Sequence, residues 1–141
     1  MKAPAPVIIV DDDNDDADIM QEVWRELKFD YPLVFLHTGE ELIEYIHSPE
    51  KALPFLIVSE IILPNMNGFQ LKEMLMKEEL THIKSIPFIF MSSLASEVEI
   101  KQAYSVCAHG FFIKNISFDD LVEEFRSIVS YWSKSKVPQK I

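Results

Sequence analysis

The chain has 141 residues, which suits one domain that buries roughly 68–70% of its unfolded surface. A hydrophobic content of 48% supplies ample core, and with only 3 Gly and 8 Pro the chain is not low-complexity. The formal charge of −10 argues against nucleic acid and anionic membranes as partners and favours cations or basic protein surfaces.

Cys107 stands alone, so no internal disulfide can form, as expected of a reducing compartment. No apolar stretch approaches the ~20 residues of a membrane span, and the apolar run after Lys2 is too short for a signal peptide. The expectation is a cytoplasmic domain spanning 1–141, with its core at about 6–133 and loose tails at 1–5 and 134–141.

In chain order, Val7–Val10 is a β-branched run that predicts a strand buried on both faces. Asn14-Asp15-Asp16 opens a helix with Ile19, Met20, Val23, Trp24 and Leu27 on one stripe, and acids there suit a helix N-terminus. Pro32–His37 reads as a second strand. Thr38-Gly39-Glu40-Glu41 resembles a capping box before a short helix with Leu42 and Ile46 inward. Phe55–Val58 is a third strand, and a helix from near Gly68 places Leu71, Met74 and Leu75 on its core face. Phe88–Met91 is a fourth strand. Ser96-Glu97-Val98-Glu99 reads as another capping box, followed by Ile100, Ala103, Tyr104 and Cys107 at helical spacing. After a fifth strand at Phe111–Ile113, the last helix begins near Ser117 and carries Leu121, Val122, Phe125, Ile128, Val129 and Trp132 on one face. Strands alternating with helices predict an α/β fold, a (βα)₅ three-layer sandwich around a parallel sheet.

Four of the strands run into residues that can do chemistry: Asp11 and Asp12, Glu60, Ser92, and Lys114. Sites in open α/β sheets form at the carboxyl ends of the strands, so these groups are expected at one sheet edge. Adjacent acids so close to a buried strand need a compensating cation. Asp15, Asp16 and Asp18 read as simple helix N-terminal acids. His37, His47, His82 and His109 show no metal spacing and read as structural or solvent-exposed. Trp132 reads as packing, and Cys107 as a small buried apolar residue.

The blocks VIIVDDD at 7–13, LIVSEIILPNMNG at 56–68, PFIFMSS at 87–93 and CAHGFFIKN at 107–115 resemble, in order, those of response-regulator receiver domains. The tail FDDLVEEFRSIVSYWSKSKVP is similar to that of single-domain regulators that partner phytochrome-type histidine kinases. The resemblance implies a doubly wound, flavodoxin-like fold with strand order 2-1-3-4-5. It also implies a Mg²⁺ site from Asp11, Asp12, Glu60 and the backbone carbonyl of Ile62, oxygen ligands of the kind that ion prefers. Ser92 matches the hydroxyl that contacts a phosphoryl group, Lys114 the ammonium that pairs with it, and Phe111 the aromatic that swings inward when the site is filled. Phosphoryl transfer needs charge neutralisation around the group and little covalent help.

Glu60 falls where the family places its phosphate-accepting aspartate. The extra methylene moves the carboxylate outward and adds a torsion, which spoils in-line attack and lets it reach toward Ser92 or Lys114. Asn115 replaces the proline that follows the lysine across a cis bond. A cis bond before a non-proline costs about 3–4 kcal/mol, so the loop is expected to turn trans and re-aim Lys114. Ile62 and Leu94 put apolar side chains at the pocket rim.

The leading functional expectation is a stand-alone receiver with lost or altered phosphorylation, acting by protein contact rather than as an enzyme. Its partners would be a histidine kinase or other signalling protein, or a second copy through its fourth helix, fifth strand and last helix. One alternative is a working phosphoacceptor using Glu60, Asp11 or Asp12. Another is a Mg²⁺-dependent phosphohydrolase, against which stands the lack of a general acid or Gly-rich phosphate cradle.

Overall fold

The computed structural model describes residues 5–93, 95–114 and 117–138. Leu94 and the Lys114–Asn115 bond, both singled out in the sequence, lie outside the described residues.

Five parallel strands form one sheet in the order β2-β1-β3-β4-β5. They are β1 (Val7–Val10), β2 (Leu33–Leu36), β3 (Leu56–Ser59), β4 (Phe88–Ser92) and β5 (Gly110–Ile113). The helices are α1 (Asn14–Leu27), α2 (Gly39–His47), α3 (Gly68–Met76), a single turn α4 (Thr81–Lys84), α5 (Glu97–Ser105) and α6 (Phe118–Lys134). The α4 turn has no counterpart in the periodicity, because four residues carry too little pattern to read.

β1, β3 and β4 are buried throughout, as their unbroken apolar runs require. Alternate residues face opposite layers. Ile8, Val10, Ile57, Phe88 and Phe90 pack with Leu42, Leu71, Leu75 and Ala103 of α2, α3 and α5. On the other face, Val7, Ile9, Val58, Ile89 and Met91 meet Met20 and Val23 of α1 and Leu121, Phe125 and Val129 of α6. Trp24 packs edge-on against Phe125, with ring centroids 5.4 Å apart.

Several local expectations are corrected. The buried stripe of α1 is Met20, Val23 and Trp24, while Ile19 is exposed. In α3 Met74 faces solvent and Lys72 takes the inward position at i+4 from Gly68, its stem buried and its ammonium 5.9 Å from the Phe88 ring centre. Burial lowers the pKa of that amine. Thr38 caps α2 through the Glu41 N–H, but the hydroxyl of Thr38 itself donates to the Glu41 side chain. Ser96 makes no side-chain cap, and the full capping box belongs to Asn67 and Gln70 instead. Cys107 is exposed, not buried, because it adopts a left-handed φ of 62° just past the end of α5 and turns away from the core.

Candidate functional site

The site is built where β1, β3, β4 and β5 end. Backbone bonds hold each chemical residue in place beyond its strand. The Asp11 N–H donates to the Leu36 carbonyl at 2.9 Å, Glu60 N–H to Val10 at 2.9 Å, and Lys114 N–H to Ser92 at 2.9 Å. Four side chains thereby start from fixed points along one edge of the sheet.

Gly68 sets the floor of the site from the α3 side. A Cβ there would lie 2.4 Å from the Glu60 carbonyl oxygen and 2.8 Å from Phe90, so α3 can begin this close only without a side chain. The Gly68 N–H donates to the Ile61 carbonyl at 2.8 Å, which ties the loop after Glu60 to the helix.

The Glu60 side chain is buried and its two oxygens are shared among three partners. Oε1 accepts the Ser92 hydroxyl at 2.6 Å and the Ile61 N–H at 2.9 Å. Oε2 lies 2.8 Å from Lys114 Nζ. The same ammonium donates to Asp11 Oδ2 and to Asp16 Oδ2, each at 2.8 Å. Lys114 has three N–H donors and meets three carboxylates, so its donor capacity is filled. Asp11 also accepts the Asp13 N–H through Oδ1 at 3.0 Å.

Three acids around one ammonium leave excess negative charge in a partly buried place. Burial raises the Asp11 carboxyl from its ordinary 3.8 to about 6, against the pull of Lys114. Burial acts the same way on Asp16, but its hydrogen bonds with Lys114 and Asp11 win and its pKa is lowered. For Lys114, burial favours the neutral amine, yet its three carboxylate partners outweigh that and raise its pKa.

The geometry sorts the residues expected from the sequence. Asp11, Glu60, Ser92 and Lys114 are brought together. Asp12 is exposed and makes no hydrogen bond or ion pair among the described residues. Ile62 is exposed on the β3–α3 loop. Phe111 is half-buried and packs inward, its ring centre 6.4 Å from that of Phe90. Asp16, read from the sequence as a plain helix-terminal acid, is instead a member of the cluster, and Asp13 is the residue that caps α1.

The donor atoms are hard oxygens of the kind Mg²⁺ prefers. Their arrangement does not fit a divalent ion, however, because Lys114 Nζ stands where the three carboxylates converge. Among the described residues no three Asp, Glu, His or Cys side chains are grouped to hold a metal. The remaining cavity beside Asp11, Ser59, Glu60 and Lys114 is about 10 Å³, the space of roughly one water.

The family model of the response regulator receiver domain matches residues 7–126. The chain belongs to the response regulator receiver family. This receiver is 24% identical over 132 residues to the probable methanogenesis regulatory protein FilR2 of Methanothrix harundinacea, a match covering 92% of this chain and 84% of that protein. Its fold is similar to that of the phosphorylated cyanobacterial phytochrome response regulator RcpA, with a TM-score of 0.84 at 20% identity, over 97% of this chain and 100% of that one. The Mn²⁺-bound form of response regulator Rcp1 is also similar, with a TM-score of 0.81 at 20% identity, over 96% of this chain and 100% of the other. Receivers are the signalling domains of two-component systems and interact with histidine kinases and other signalling proteins. No helix among the described residues of this receiver is long and apolar enough to cross a membrane.

Proposed function

We propose that this receiver has left the phosphorylation cycle and acts by protein–protein contact in one fixed state. The observation that carries the reading is Glu60, at the position the family gives its phosphate-accepting aspartate, with both carboxylate oxygens already bonded to Ser92 and Lys114. These are the groups that a phosphoryl group on that aspartate would meet. The extra methylene, about 1.5 Å of reach, lets Glu60 span the same gap without modification. The substitute is partial, since a carboxylate carries one negative charge where a phosphate carries about two.

Two further features support the reading. Phe111 is packed inward, the orientation the family resemblance links to an occupied site. Lys114 Nζ meets Asp11, Asp16 and Glu60 together, so a divalent ion would have to displace that ammonium to reach them. The face of α5, β5 and α6 then presents one surface to a signalling partner or a second copy.

The test is incubation with acetyl phosphate and Mg²⁺, followed by intact-mass measurement of the wild type and of Glu60→Asp. The reading expects no phosphoryl adduct on the wild type and a stoichiometric adduct on Glu60→Asp. A stoichiometric adduct on the wild type that Glu60→Gln abolishes would make Glu60 a working acceptor and overturn the reading.

A further inference from the structure

Among the described residues Lys72 is the most buried charged residue, at 2% exposed, and it makes no hydrogen bond or ion pair. Its ammonium lies over the Phe88 ring, 5.9 Å from the ring centre. An ammonium buried without a carboxylate is costly. Burial accordingly lowers the pKa of this amine, against a smaller opposing pull from the Cys107 thiol. The unprotonated amine so favoured is the nucleophilic form of lysine.

The neighbours of Lys72 and Cys107 pack together. Leu71 and Leu75 of α3 share one apolar cluster with Phe88, Val106 and Ala108, the last two being the residues on either side of Cys107. His109 anchors the same segment to β4. Its backbone N–H donates to the Phe88 carbonyl at 2.8 Å, and its Nδ1 accepts the Phe88 N–H at 3.0 Å. Burial and the Lys72 charge both lower the pKa of that imidazole, so amine, thiol and ring converge at Phe88, where β4 begins. Glu60 lies at the other edge of the sheet, where the strands end. Cys107 itself is exposed, with a left-handed φ of 62°. Glycine takes that conformation without steric cost, so the backbone gives no reason for a thiol there.

We infer that Cys107 and Lys72 form an acyl-relay site, in which the exposed thiol takes an acyl group from a soluble thioester and passes it to the buried amine. A thioester has no direct access to a residue as enclosed as Lys72, whereas the thiol is open to it. In the first step the Cys107 sulfur attacks the thioester carbonyl as thiolate. A new C–S bond forms, the old one breaks, and the departing thiol carries the proton. In the second step the Lys72 amine attacks the S-acyl carbonyl. A C–N bond forms, the C–S bond breaks, and the amine proton passes to the Cys107 thiolate. No oxidation state changes. The amide product is neutral, so the transfer also removes the unpaired buried charge. The inference stands whether or not Glu60 accepts phosphate.

The probe is acetyl-coenzyme A, incubated with the folded full chain at mildly alkaline pH. Peptide mapping follows, with and without hydroxylamine, which cleaves thioesters and spares amides. Lys72 should carry a hydroxylamine-stable acetyl group. Cys107→Gly should lower that yield at least about tenfold, since the transfer within one molecule is lost, while acetylation of the exposed Lys77 and Lys101 changes less than about twofold. Lys72→Met should instead keep a hydroxylamine-labile acetyl group on Cys107. Glycine suits the left-handed position and methionine the apolar one, and circular dichroism verifies both folds. An unacetylated Lys72 in the wild type, equal acetylation of Lys72 in Cys107→Gly, or an unmodified Cys107 in Lys72→Met would each overturn the inference.

Discussion

The Ser92 hydroxyl donates to Glu60 Oε1 at 2.6 Å, joining the ends of β4 and β3 through two buried side chains. Short O–H···O⁻ bonds of this kind are among the stronger ones, and the acceptor here has one other donor on the same oxygen, the Ile61 N–H. Ser92→Ala should therefore cost about 1–2 kcal/mol in chemical denaturation, because a buried carboxylate oxygen loses a charge-assisted partner. A loss within experimental error would mean that the hydroxyl is not held by Glu60 in solution.

Lys114 is the only cation within bonding distance of Asp11, Asp16 and Glu60 among the described residues. Its replacement leaves three carboxylates without a counter-charge. Lys114→Met should destabilise the fold by about 3 kcal/mol, the scale of breaking a buried ion pair from one side. The same change should strengthen Mn²⁺ binding, measured by proton relaxation of bulk water, because the ion then has the place the ammonium filled. Unchanged Mn²⁺ affinity would separate the metal site from Lys114.

Asp11 supplies a pH dependence with a definite sign. Its folded-state pKa is raised from 3.8 to about 6 by burial, so the folded protein binds the proton more tightly than the unfolded chain. Stability from this group is present below pH 4 and is lost as pH rises through about 6. Asp16 has the opposite sign, with a lowered pKa that adds stability above pH 3.8 and gives it up as pH falls. Thermal melts of Asp11→Asn should thus exceed the wild type in Tm at pH 7.5 and converge with it near pH 4. A variant less stable than wild type at pH 7.5 would show that the Lys114 pairing outweighs burial.

Much of this arrangement is legible in the sequence because the strands are buried on both faces. Val7–Val10 and Phe88–Met91 read as strands directly, and the residues that end them must lie at one edge once the strands are parallel. The cluster role of Asp16 is hidden because an acid in a first helical turn has an ordinary explanation. The signal was nonetheless present. Asp16 lies four residues before Met20 and seven before Val23, on the same buried stripe of α1, so its carboxylate had to face inward. Lys72 is not legible either, because the spacing of Leu71, Met74 and Leu75 points to Met74 as the inward residue. Polar residues on an apolar stripe are informative because periodicity scoring omits them. The pairing of Glu60 with Lys114 is anticipated, but the simultaneous pairing of that ammonium with Asp11 and Asp16 is not legible, because it depends on a flexible four-carbon stem choosing among several acids.

Gly68 ties α3 to the backbone of Glu60. A methyl group there would collide with the Glu60 carbonyl oxygen at 2.4 Å, a fixed backbone atom that cannot step aside. Gly68→Ala should cost roughly 2–4 kcal/mol by overpacking, read from denaturation midpoints. It should also shift the amide resonances of Glu60 and Ile61. A neutral Gly68→Ala would mean that the helix start and the strand end are less tightly coupled than their contact distances imply.

The most direct test of the fixed-state account is a comparison of amide spectra for the wild type and Glu60→Asp, each with and without beryllofluoride and Mg²⁺. The account predicts that the wild type does not respond, and that its resonances around Ser92, Phe111 and α5 coincide with those of beryllofluoride-bound Glu60→Asp rather than the free variant. A wild-type spectrum that matches free Glu60→Asp, or that moves when the phosphoryl mimic is added, would contradict it.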